Sequence, residues 1–123
     1  MKFYKCEVCG NILEMIVDSS RIPNCCNKTL VELVPNTIDA SKEKHVPMYW
    51  IRNNTLTVQI GENLHPSEVG HYIQFIEVKT NKKIMRKMLY FSDVPKIDFE
   101  LSQGEDVEEI YAYCNLHGLW RTN

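Results

Sequence analysis

Long apolar runs are missing from this 123-residue chain, and its longest fall well short of the roughly 20 residues that cross a bilayer. The first residues, Met1-Lys2-Phe3-Tyr4-Lys5-Cys6, contain no apolar segment and no cleavage site, and no lipidation signal is present. A membrane partner is therefore not expected, and the expected location is cytoplasmic. An excess of charge of one sign is missing too. Lys and Arg number 14 against 16 Asp and Glu, a net charge of −2. No basic field invites nucleic acid, and no charge run forms an interaction tail. Internal repeats, low-complexity tracts and windows of helical apolar period are also absent.

What is present is two-residue alternation. Leu56, Val58 and Ile60 share one face of the stretch 55–60, and residues 97–101 alternate in the same way. Less regular strand candidates rich in Ile, Val, Tyr and Phe are 11–17, 29–34, 72–79, 84–91 and 107–113. Short strands broken by Gly, Asn and Pro predict an all-β sandwich or barrel. A boundary is expected near Pro35-Asn36, giving domains 1–36 and 37–123. The first holds four of the five cysteines and is too short to fold on apolar burial alone.

Cys6-Glu7-Val8-Cys9-Gly10 is a C-x-x-C turn, and Cys25-Cys26 follows fifteen residues after Gly10. Two intervening residues let both thiolates of a C-x-x-C reach one ion, and the four sulfurs complete a closed tetrahedral site. Such a site holds structure or passes electrons, and both iron and zinc accept it. A redox C-x-x-C lacks its usual βαβ surroundings here. A vicinal Cys25–Cys26 disulfide is the remaining alternative.

All four histidines, His45, His65, His71 and His117, fall in the second segment, with Cys114 three residues before His117. A C-x-x-H turn presents sulfur and imidazole to one ion by the same logic. A zinc site using Cys114, His117 and two more histidines is the plain version. Five ligands suit a larger coordination sphere with one open position, as inner-sphere chemistry requires.

Glu43-Lys44-His45-Val46-Pro47, His65-Pro66 with His71-Tyr72-Ile73, and Cys114-Asn115-Leu116-His117-Gly118 together resemble the superoxide reductases. With the N-terminal cysteines included, the chain is similar to the two-iron desulfoferrodoxin family along nearly its whole length. The resemblance implies a desulforedoxin-like domain holding one iron on Cys6, Cys9, Cys25 and Cys26. It implies an immunoglobulin-like β-sandwich holding a second iron on His45, His65, His71 and His117, with Cys114 as axial thiolate. It implies one-electron reduction of superoxide to hydrogen peroxide, a donor such as rubredoxin, and a homodimer. Glu43 would bind the oxidised iron after turnover, and Lys44 would add positive charge near the open position; both could equally be solvated loop charges. The chain departs from the family pattern at Asn27, where Gly is frequent, and at Ser67, where Met is frequent. Two other readings stand beside this one, a non-enzymatic iron electron carrier and a zinc-stapled module that binds a partner protein.

Overall fold

The computed structural model describes residues 1–39 and 44–122, and among these the chain is all-β with no helix. It divides into two compact units, Met1–Val34 and Pro35–Asn123. Asn36 goes with the second unit because it pairs beside Trp120. Its N–H donates to Leu119 O, and its carbonyl accepts from the Arg121 N–H.

The first unit contains β1 (Phe3–Lys5), β2 (Ile12–Glu14), β3 (Asn24–Cys25), β4 (Lys28–Thr29) and β5 (Val31–Glu32). β2, β1 and β5 form one antiparallel sheet, while β3 and β4 form a separate hairpin. Its core is small: Tyr4, Cys6 and Leu30 are buried, with Met15 and Cys25 packed against them. The hairpin loop is Cys26-Asn27, and both residues are left-handed, at φ 51° and 60°. Two consecutive left-handed residues make the type I′ turn that suits a two-residue hairpin. Asn27 therefore takes the conformation that glycine would take more cheaply.

The second unit contains β6 (Pro47–Arg52), β7 (Thr55–Ile60), β8 (Ile73–Thr80), β9 (Ile84–Met88), β10 (Lys96–Glu100), β11 (Val107–Cys114) and β12 (Gly118–Arg121). They form a three-stranded sheet in the order β10-β7-β6 and a four-stranded sheet in the order β12-β11-β8-β9. Leu56, Val58 and Ile60 of β7 face Ile76 and Val78 of β8 and Ile110 and Ala112 of β11 in one shared core. This is the expected sandwich, with the alternation of β7 pointing its apolar face inward.

Strands β6 and β12 were not evident in the sequence. In β6, Met48, Tyr49, Trp50 and Ile51 are consecutive, apolar and all exposed, so no two-residue pattern survives. The β6–β7 connection is Asn53-Asn54, again two left-handed residues. The sandwich gathers the functional segments at one end: the residues before β6, those between β7 and β8, and the β11–β12 turn.

Two candidate metal centres

In the first unit, a tight turn brings the C-x-x-C sulfurs together. The Gly10 N–H donates to Cys6 O, the Cys6 N–H donates to Asn11 O, and Gly10 sits at φ 80°. The type I′ hairpin supplies the other pair. Adjacent residues of an extended strand point to opposite faces, but the left-handed backbone at Cys26 turns its sulfur toward that of Cys25. The sulfurs of Cys9 and Cys25 are 3.6 Å apart, and those of Cys25 and Cys26 are 3.9 Å apart. A tetrahedron of about 2.3 Å metal–sulfur bonds has edges of about 3.8 Å. All five cysteines of the chain are free, so the vicinal disulfide is not formed.

Crowding sets the proton chemistry of these thiols. The Cys9 backbone N–H is the main influence pulling Cys6 down to about 6. Hydrogen bonds from Cys6 and then Cys9 push Cys25 up to about 12. Four sulfurs this close cannot all ionise without a cation among them. The donor set therefore fits a tetrahedral thiophilic ion.

In the second unit, His45, His65, His71, His117 and Cys114 place one donor atom each within 4.8 Å of one another. That spread is about twice a metal–ligand bond of 2.0–2.4 Å, as expected for donors on opposite sides of one ion. The imidazoles follow one another in a closed cycle. Ring centroids are 4.6 Å apart for His45–His65, 4.7 Å for His65–His71, 5.1 Å for His71–His117 and 4.8 Å for His45–His117. Neighbouring rings are tilted by 59° to 84°, so edges rather than faces converge. His45 Nε2 lies 3.2 Å from His117 Nδ1, which in turn lies 3.7 Å from Cys114 Sγ. The set fits an ion that accepts imidazole and thiolate together.

Each donor is held by identifiable backbone chemistry. The carboxylate of Asp39 accepts from the His45 N–H at 2.6 Å and from the Val46 N–H. His65 Nδ1 lies 2.8 Å from Pro66 O, so it carries the proton and leaves the buried Nε2 for the ion. His71 and Glu68 exchange two backbone hydrogen bonds of 3.0 Å. Cys114 ends β11 and is fully buried, whereas His117, in the turn to β12, is exposed. Gly118, at φ 83°, closes that three-residue loop.

The structure thus brings together every expected ligand of both centres. Lys44 is half-buried directly before His45, and Glu43 lies outside the described residues. Three residues that support the histidine centre were not apparent from sequence: Asp39, Asn115 and Trp120. The side-chain amide of Asn115 donates to Gly70 O and its carbonyl oxygen accepts from the Tyr72 N–H, on either side of His71. Only the position of Asn115 inside the C-x-x-H turn could have signalled it.

The family described as Desulfoferrodoxin matches residues 37–123. A desulfoferrodoxin of Syntrophotalea carbinolica is 42% identical over 120 residues, covering 98% of this chain and 94% of that protein. A desulfoferrodoxin homolog of Archaeoglobus fulgidus is 39% identical over 122 residues, covering 99% of this chain and 96% of its own. The crystal structure of the superoxide reductase from Treponema pallidum superposes with a TM-score of 0.84 at 28% identity, covering 99% of this chain and 97% of that one. The one-iron superoxide reductase of Giardia intestinalis covers 66% of this chain and 96% of its own, with a TM-score of 0.57 at 27% identity. On the family match and the near-complete coverage by the Syntrophotalea and Archaeoglobus relatives, the chain belongs to the desulfoferrodoxin family.

Proposed function

We propose that the chain is a superoxide reductase, which adds one electron and two protons to superoxide, forms hydrogen peroxide and releases no oxygen. The observation that carries this reading is the convergence of four imidazoles and one thiolate on a single point. Four sulfurs around a tetrahedral ion leave no room for substrate, whereas five donors in a six-position sphere leave one position. The Treponema and Giardia proteins, described as superoxide reductases, point the same way. When bound, iron supplies a one-electron couple at that open position.

The protein's own groups shape the chemistry around it. Four imidazoles are neutral and the Cys114 thiolate carries one negative charge, so the centre with a divalent ion is net positive and attracts an anion. Pro66 O keeps the His65 proton on Nδ1, away from the ion. The buried Cys114 would hold the iron as a thiolate, and its electron density would tune the iron's potential. Lys44 adds charge that steers the anion inward. Glu43, by its resemblance to the family pattern, would supply a carboxylate to the iron after turnover. Protons come from solvent, which reaches the exposed His117 side. The four-cysteine centre, with iron or zinc, staples the first unit or relays electrons from a donor such as rubredoxin.

The protein works as a cytoplasmic homodimer in this reading. Tyr49 and Ile51 stand opposite Val58 and Leu56, hence on the core-facing side of their sheet, yet they are 46% and 50% exposed. A second copy would cover that edge, and sedimentation of the purified protein tests it.

The activity is tested by pulse radiolysis of the reduced, iron-loaded protein. One peroxide per superoxide without oxygen is expected. Half a peroxide with oxygen evolved would mean dismutation and would overturn the assignment.

A further inference from the structure

We propose that Trp120 is a positioning residue of the histidine centre, a single indole that orients two of its ligands at once. The inference rests on the reading of His45, His65, His71, Cys114 and His117 as one metal site.

Trp120 lies in β12, paired with Ala112 of β11, and is 8% exposed. Its ring stacks on the His45 imidazole, with centroids 4.5 Å apart and planes 13° apart. Its Nε1–H donates to the carbonyl of His117 at 3.1 Å. His45 and His117 come from distant parts of the chain, yet their ring nitrogens stand 3.2 Å apart. One rigid side chain therefore touches the face of the first ligand and the backbone of the second.

The other ligands have holders of their own. Pro66 O takes the second nitrogen of His65, and Asn115 brackets His71 through Gly70 and Tyr72. Asp39 fixes the His45 backbone, and Trp120 lies against the face of its ring. His117 is the exposed member of the set, and Trp120 holds its backbone carbonyl. Trp120 thus adds a constraint to each of these two ligands. An indole that only filled space would need neither the near-parallel face nor a donor aimed at a ligand residue. A buried indole N–H seeks a partner, and here that partner is the turn carrying His117 and, three residues earlier, Cys114.

Groups that orient metal ligands are typically worth tenfold to a hundredfold in metal affinity. The test uses the full chain loaded with iron. Trp120→Phe keeps an aromatic face over His45 and deletes the donor; Trp120→Leu deletes both. Trp120→Leu should lose iron from the histidine centre to a competing chelator about tenfold to a hundredfold more readily, and Trp120→Phe less so. In both, the thiolate-to-iron absorption of the oxidised centre should move, because the turn that carries Cys114 has lost its tie. The four-cysteine spectrum, unchanged, reports that the first unit remains folded and loaded.

Parent-like retention and absorption in both variants would overturn the proposal. If either variant fails to fold, Trp50→Phe leaves Trp120 as the only indole, and its emission must respond when the histidine centre is loaded. No response there would also overturn it. A parent protein that takes up no metal on the histidines would instead defeat the metal reading, and the role of Trp120 with it.

Discussion

Asn115 and Tyr72 hold each other across the open end of the four-stranded sheet. The Tyr72 N–H donates to Asn115 Oδ1 at 2.9 Å, and the Asn115 N–H donates to Tyr72 O at 3.2 Å. This pair ties the turn bearing Cys114 and His117 to the segment bearing His71. Asn115→Ala removes the side-chain bonds to Tyr72 and Gly70, each worth about 1 kcal/mol. The variant should melt earlier and release metal from the histidine centre more readily. Calorimetry with chelator competition checks both, and parent-like metal release would show that the tie is dispensable.

Gly61 constrains the approach to His45 from the other side. It sits at φ 85°, and a β-carbon there would collide with the backbone oxygens of Lys44 and Asn63. Gly61→Ala should cost about 1–2 kcal/mol in backbone conformation alone. The clash adds to this by pushing the chain just before His45. Thermal denaturation together with the absorption of the histidine centre measures both effects.

Lys44 acts at longer range. A unit charge about 8 Å away in a water-like dielectric contributes about 0.5 kcal/mol, a little over a factor of two. Lys44→Ala should therefore slow the reaction with superoxide modestly, weaken its dependence on salt and leave the metal bound. Pulse radiolysis across ionic strength reads this directly, and an unchanged rate constant removes Lys44 from the mechanism.

Metal removal should separate the two units. Met1–Val34 buries only a handful of side chains, too few to hold it together, so stripping its metal should unfold it. The sandwich has a continuous core of its own and should stay folded. Hydrogen exchange of the stripped protein should show protection lost in residues 1–34 and kept in β7, β8 and β11. In the same spirit, Cys6→Ser that retains superoxide reduction would mark the four-cysteine centre as a staple and not an obligatory relay.

Glu105 makes stability depend on acid. The Thr80 hydroxyl first, then the Ser102 N–H, hold its carboxyl below the ordinary carboxylate range, and Lys83 adds to the effect. The stability this contributes is present above the unfolded carboxylate pKa and is lost as pH falls through the depressed folded one. Glu105→Gln should therefore flatten the fall of the melting temperature in mild acid. An acid limb identical to the parent's would count against this role.

The ligands were legible in the sequence because their chemistry is local. C-x-x-C and C-x-x-H bring donors together through the turns they occupy, and four histidines confined to one segment had few other places to go. The alternation of β7 and β10 was legible for the same reason. β6 was not, since Tyr49 and Ile51 face the core side without being covered while Met48 and Trp50 are apolar on the outside. Asp39, Asn115 and Trp120 were hidden because they act on backbone amides, carbonyls and a ring face that only the folded chain brings near.

The hairpin turn at Cys26-Asn27 carries one more implication. A left-handed cysteine sits about 1 kcal/mol or more above its relaxed conformation. Bonds from the sulfurs to an ion outweigh that cost many times over. Once the ion leaves, those bonds no longer offset the cost, and backbone preference favours relaxation at Cys26. The handedness of a single residue thus becomes an internal gauge of whether the first centre is filled.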